Sequence, residues 1–109
     1  MFADNDIAFR AGYERLVLSG MGQEWDSAVR HLPLEYSAPM RRPVFEIRDF
    51  ESKWGEWDGR RRRISLSWRL VSEYPWMAAR EVLRHEMAHQ MAGELFGWNG
   101  DPHGEPFPR

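Results

Sequence analysis

The chain of 109 residues contains no cysteine, and this absence limits the kinds of site that it can hold. Without thiols, neither a disulfide framework nor a thiolate metal centre can form, so any metal must be bound by His, Asp or Glu. The net charge is only −2 at pH 7, which is not the overall charge of a nucleic-acid-binding protein. No apolar run approaches the roughly 18 residues that a membrane-spanning helix needs.

The N-terminal residues also lack the features of a secretory signal. The stretch from Met1 to Asp6 has neither a basic segment nor an apolar segment. We therefore expect a cytoplasmic protein with no membrane association. The length is that of a single domain, residues 1–109. Because the chain stops at Arg109, directly after a loop dense in candidate site residues, we expect it to be a fragment of a longer protein.

The hydrophobic pattern predicts an α+β domain with N-terminal helices, a small antiparallel sheet and a long final helix. Residues 1–43 are predicted to be a helical N-terminal part followed by a loop with three prolines. Within that part, Ser19-Gly20-Met21-Gly22 is predicted to separate a first helix from a second, shorter one.

Residues 44–70 are predicted to be antiparallel strands. Asp58-Gly59 indicates a two-residue β-hairpin turn, and Ile64, Leu66 and Trp68 alternate with serines as in a half-buried strand. Residues 75–96 have apolar residues at helical spacing, with a proline at the start and Gly97 as a stop. Residues 97–109 are predicted to be a loop, which contains three glycines.

The long predicted helix carries the sequence His85-Glu86-Met87-Ala88-His89, an HExxH motif. Residues four apart project from the same face of a helix, so the two imidazoles can bind one tetrahedral Zn²⁺. Zinc lowers the pKa of a bound water toward about 7, and Glu86 is placed to take its proton during attack on a peptide bond. The motif therefore predicts a zinc-dependent endopeptidase.

A catalytic zinc site needs a third protein ligand. Glu94 is the nearest acidic residue, but at about 100° per residue it faces away from both histidines. His103 is the best candidate, since the glycines after the helix let the chain turn back toward the motif. Glu105 is the second candidate; it is also suited to accept a hydrogen bond from a metal-binding imidazole.

These residues carry a resemblance to a known family. The HExxH run followed by His103-Gly104-Glu105-Pro106-Phe107 resembles the SprT-like metallopeptidase domain, a group that includes the Spartan proteases. The segments Ser52–Trp57 and Arg63–Ser67 resemble the hairpin that precedes the active-site helix in that family. The resemblance covers about residues 44–107. Many peptidases share the zinc motif, whereas the His-Gly-x-x-Phe element and the hairpin make the match specific.

The resemblance implies that His85, His89 and His103 bind one zinc ion per chain and that Glu86 is the catalytic acid–base. It further implies a minimal zincin-like fold and a protein or peptide substrate, with DNA-linked proteolysis as one substrate class. Domains of the family usually continue with further helix beyond the His-Gly-aromatic element, whereas this chain stops there.

Two alternatives to an endopeptidase stay open. A binding module clipped by zinc would have a fourth protein ligand where a peptidase has water. A DNA-associated protein would use the basic hairpin tip, with Trp54 or Trp57 stacking on a base. The tip consists of Arg60, Arg61, Arg62 and Arg63, and the competing interpretation is a solvated strand end whose charges blunt a sheet edge.

Overall fold

In the computed structural model, the fold is described for residues 2–97 and the side chains for residues 6–97. The elements in this part of the chain confirm the predicted α+β class. No helix among these residues has the length and apolar character to cross a membrane. In chain order the elements are helix α1 (Phe2–Arg30), helix α2 (Leu34–Ser37), strand β1 (Val44–Arg48), strand β2 (Gly55–Asp58), strand β3 (Arg63–Ser67), helix α3 (Trp68–Glu73) and helix α4 (Trp76–Phe96).

Helix α1 is continuous, so the predicted break at Ser19-Gly20-Met21-Gly22 is wrong. Met21 is completely buried in the core, and the bare backbone of Gly20 lies against the ring of Trp76. Tertiary packing therefore keeps the helix intact through a segment whose local preference favours a turn. The short helix α2 lies within the region predicted as a loop.

The sheet is mixed, so the prediction of a wholly antiparallel sheet is wrong for one pair of strands. The strand order is β1-β3-β2, with β2 antiparallel and β1 parallel to the central strand β3. The connection between β1 and β2 does not form a hairpin; it carries the chain past the position that β3 later fills. No local sequence pattern reports this crossing, because it depends on which edge each strand takes.

The β2–β3 hairpin is present, but its turn differs from the predicted two-residue turn at Asp58-Gly59. Strand β2 ends at Asp58 and β3 begins at Arg63, so four residues connect them. The Asp58 carboxylate accepts the backbone N–H groups of Arg60 and Arg61 at 3.0 and 3.2 Å. Arg62 takes the left-handed conformation, with φ of 49°. The side chain of Asp58 thus stabilises a longer turn.

Strand β3 ends one residue earlier than its alternating pattern predicts. Trp68 begins helix α3, because the hydroxyl of Ser67 accepts the N–H groups of Arg69 and Leu70 at 3.1 and 3.4 Å. This is the usual role of a serine at a helix N-cap. The predicted strand region 44–70 therefore contains the start of a helix.

The predicted helix of residues 75–96 is confirmed as α4. It begins after Pro75 and ends at Gly97, whose φ of 68° is the left-handed conformation of a helix C-cap. Helix α4 packs against the sheet and against α1. The core between these layers is formed chiefly by Val17, Met21, Trp25, Ile64, Leu66, Leu70, Val71, Ala79, Leu83 and Met87.

Candidate active site

Helix α4 brings the two histidines of the HExxH motif together. The Nε2 atoms of His85 and His89 lie 3.1 Å apart, and the rings are nearly perpendicular at 85°. Two nitrogens that each lie about 2.0–2.1 Å from one tetrahedral zinc ion are roughly 3.4 Å apart. The observed pair is within a few tenths of an ångström of that separation, so these two side chains fit a shared metal ion.

The site lies at the boundary between core and solvent. Glu86 and His89 are each only 3% exposed, whereas His85 is exposed. Residues one apart on a helix differ by about 100° in direction, which explains why His85 and Glu86 have different surroundings. A ligand can therefore approach from the side of His85, while Glu86 is held in the protein interior.

Burial changes the acidity of Glu86. Loss of hydration raises the pKa of its carboxyl to about 7, although the backbone N–H of Trp57 acts in the opposite direction. Glu56 adds to the increase and Lys53 reduces it. Within the part of the chain that the structure describes, Glu86 Oε1 is buried without a hydrogen-bond partner. A carboxyl with these properties is suited to take up and release a proton near neutral pH.

Among the described residues, strand β2 forms an open edge of the sheet, beside the carboxyl of Glu86. Gly55 is buried, and a Cβ atom there would lie 2.8 Å from Val82 Cγ1 on α4, so only glycine permits this close approach. Ser67 N–H donates to Trp54 O at 2.8 Å. Because antiparallel pairing alternates, Gly55 and Trp57 direct their backbone groups away from β3, toward the open edge.

A cavity of about 640 Å³ adjoins the motif. It lies between α3, the start of β2 and the first half of α4, and His85 and Glu86 form part of its wall. The rest of the wall is largely apolar and consists of Lys53, Trp54, Gly55, Leu70, Tyr74, Ala78, Glu81 and Val82.

A buried polar network fixes α4 from its other side. Gln90 is completely buried; its amide oxygen accepts Trp25 Nε1–H at 2.9 Å, and its amide nitrogen donates to Arg41 O and to Glu94 at 2.8 Å each. Glu94 also pairs with Arg62. Sequence reasoning missed Gln90, because nothing in the pattern marks it except its place directly after the second histidine.

His103 and Glu105 lie outside the described residues. Among residues 6–97, no group of three or more His, Asp or Glu side chains is arranged to hold a metal ion. The rejection of Glu94 as a ligand agrees with its contacts to Gln90 and Arg62, which lie away from the histidine pair.

The four arginines of the hairpin tip differ in their surroundings. Arg61 and Arg63 form ion pairs with Asp58, at 3.1 and 3.4 Å, and Arg62 pairs with Glu94. Arg60 is exposed, and the described part of the chain provides no ion-pair partner for it. Most of the charge of the tip is therefore balanced by neighbouring carboxylates, which favours a structural role for Arg61, Arg62 and Arg63.

The profile of the SprT-like family matches residues 22–109, which includes the described site and the segment after it. No curated protein and no solved structure matches the chain.

Proposed function

We propose that this chain, which belongs to the SprT-like family, is a zinc-dependent endopeptidase. The observation that carries the proposal is the Nε2 pair of His85 and His89, 3.1 Å apart, beside the buried carboxyl of Glu86. An acidic group next to the first histidine has no purpose in a structural clip. Its burial costs stability, so a role in proton transfer explains why it is there.

The residues that would hold the metal are His85, His89 and, by the family resemblance, His103. All three supply imidazole nitrogens, which suit zinc, and the absence of cysteine leaves no thiolate competitor. When bound, zinc acts as a Lewis acid that polarises the peptide carbonyl and lowers the pKa of water toward about 7.

Glu86 performs the proton transfers. Its carboxylate accepts the proton of the attacking water and then delivers it to the nitrogen of the departing amine. Burial raises the pKa of Glu86 to about 7 in the metal-free protein, and a bound dication favours its carboxylate, which is the form that accepts a proton from water. The low exposure of Glu86 keeps bulk water from competing for that proton.

The open edge of β2 would bind the substrate as an added strand. The outward N–H and C=O groups of Gly55 and the outward C=O of Trp57 can pair with an extended peptide, whereas the N–H of Trp57 is directed at the carboxyl of Glu86. Because the edge lies next to Glu86, a peptide bound there has its backbone beside the motif. Main-chain pairing of this kind accepts many sequences, since it does not depend on side chains.

The central experiment replaces Glu86 with Gln. We expect Glu86→Gln to retain zinc, measured by elemental analysis, and to lose cleavage of an unfolded protein substrate by about two orders of magnitude or more. The matched control is Glu73→Gln, an exposed acid on α3 that pairs only with Arg69 in the described part of the chain and should leave both properties unchanged. Cleavage by Glu86→Gln at the parent rate would refute the role of Glu86.

The experiment also separates the two alternatives. A zinc clip predicts zinc in the parent chain and no cleavage by it under any condition. Contact with nucleic acid is a separate hypothesis, in which Arg60 carries the accessible charge. It predicts a mobility shift on single-stranded DNA that weakens with salt and with Arg60→Ala. The absence of a mobility shift at low salt would refute the nucleic-acid hypothesis.

A further inference from the structure

Five of the residues that line the cavity beside the motif are apolar or aromatic: Trp54, Leu70, Tyr74, Ala78 and Val82. Leu70 is only 3% exposed and forms the base of the cavity with Val82 and Ala78. Two aromatic rings flank the opening: Trp54 and Tyr74 pack edge to face, with centroids 5.3 Å apart. Both remain more than two-fifths exposed, at 44% and 42%. Large aromatic side chains that stay wet around an apolar base are typical of a surface that receives another apolar group.

The open edge of β2 would direct a side chain of a bound peptide into this cavity. Cross-strand neighbours in a sheet point to the same face. The missing side chain of Gly55 would point at Val82 on α4, as the 2.8 Å approach of its Cβ position shows. A substrate residue paired opposite Gly55 on the open edge therefore points toward α4, where Val82 forms the cavity wall. His85 and Glu86 belong to the same wall, so this residue lies close to the bond to be cut.

We propose that the cavity between Trp54, Tyr74 and Val82 is a specificity pocket for a bulky apolar side chain, aromatic or long aliphatic, adjacent to the scissile bond. This inference rests on the proposed peptidase function. The volume of the cavity, about 640 Å³, admits the largest side chains. A carboxylate entering it would lose hydration against Leu70 and Val82 and would meet Glu81 and Glu86 in the same wall. Because the ammonium of Lys53 is already paired with Glu56 at 3.2 Å, acidic residues are selected against.

The test uses the full chain carrying Glu86→Gln with zinc supplied, so that peptides are bound but not cut. The probes are short alanine–glycine–serine peptides that differ at one position, occupied by Phe, Leu, Ala or Asp. Binding is measured by calorimetry. We expect the Phe and Leu peptides to bind about tenfold to a hundredfold more tightly than the Ala peptide, and the Asp peptide to bind most weakly. Equal binding of all four, or no binding of any, would overturn the pocket.

Three further variants test whether the preference belongs to this cavity. Ala78→Trp fills it and should reduce the Phe-to-Ala ratio to near one, whereas Met77→Trp adds the same ring at an exposed neighbouring position and should leave the ratio unchanged. Tyr74→Ala removes an exposed ring without opening the core and should reduce the preference for Phe over Leu. An unchanged ratio in both Ala78→Trp and Tyr74→Ala would refute the assignment.

The two proposals fail separately. If the peptides show the expected preference but the parent chain cuts none of them, the pocket stands as a binding site and the peptidase proposal fails. If the parent chain cuts all four peptides equally and binds them equally, the peptidase proposal stands and the pocket is refuted.

Discussion

Gln90 provides the sharpest test of how the fold holds the active-site helix. Its side chain joins three parts of the protein, because it accepts from Trp25 on α1 and donates to the carbonyl of Arg41 and to Glu94. Replacement by Leu keeps a similar volume but removes every one of these bonds. The indole N–H of Trp25, which is 5% exposed, then has no acceptor among the described residues.

The expected cost follows from which groups lose their partners. Arg62 still donates to Arg41 O and still pairs with Glu94, so those two acceptors stay satisfied. The buried N–H of Trp25 loses its acceptor. A buried donor without a partner costs about 1–3 kcal/mol, and the other lost bonds cost roughly 1 kcal/mol more. We therefore expect Gln90→Leu to lower the free energy of unfolding by about 2–4 kcal/mol, measured by urea denaturation.

Two controls make this reasoning refutable. Gln23→Leu changes an exposed glutamine whose single described bond is a 3.4 Å contact with Ser19, and it should cost no more than about 0.5 kcal/mol. Adding Trp25→Phe to Gln90→Leu removes the orphaned donor, so the double variant should be less destabilised than the sum of the two single variants. Two results would show that the network does not anchor the helix. One is a loss of stability for Gln90→Leu no larger than that for Gln23→Leu; the other is strict additivity of the Trp25→Phe and Gln90→Leu effects in the double variant.

Three further predictions concern the metal and the acidic side chains. His89→Ala should lose most of the bound zinc by elemental analysis, whereas the exposed His31→Ala should keep it; equal zinc in both would exclude the motif as the site. Burial of Glu24 works against ionisation, but Arg84 and Arg80 outweigh it and lower its pKa below 4.5, so its contribution to stability is present near neutral pH and is lost as the pH falls through that lowered pKa. Because both arginines are nearly half exposed, Glu24→Gln should cost less than about 1 kcal/mol at pH 7, and the stability of this variant should fall less steeply in acid than that of the parent. With zinc removed by a chelator, the contribution of Glu86 to the free energy of unfolding is fully present below its unfolded pKa of 4.5. Because folding raises the pKa of Glu86, this contribution is lost as the pH rises through about 7. Urea titrations of Glu86→Gln should lack this loss.

Helix α4 is the part of the fold that local sequence determines most completely. Helix α4 has an apolar repeat along its length, a proline before its first turn and a glycine after its last, and each of these acts within a few residues. The interruption predicted in α1 failed for the opposite reason. The preference of Gly20 is local, but the burial of Met21 and the contact with Trp76 come from distant parts of the chain.

The sheet shows the same division more clearly. Strand positions follow from alternation, and the hairpin follows from two strands close in sequence. The parallel pairing of β1 with β3 joins residues that are about twenty positions apart and carries no mark in either strand. Likewise, Ser67 is compatible with a strand by pattern, and its role as the cap of α3 depends on the direction the chain takes afterwards.

For the site, the motif predicts which side chains meet but not what surrounds them. Spacing alone puts His85 with His89, and Glu86 with Gln90, on two neighbouring faces of one helix. The structure adds that the second face is buried at both positions, Glu86 and Gln90, whereas on the first face His89 is buried and His85 is exposed. Gln90 fixes the rotation of the helix about its axis through Trp25, and the close approach of Gly55 to Val82 fixes its distance from the sheet. With the rotation of α4 and its distance from the sheet fixed, the histidines lie at the rim of the core and Glu86 lies beneath the open edge of β2. The orientation of the catalytic groups thus follows from packing contacts that no motif contains.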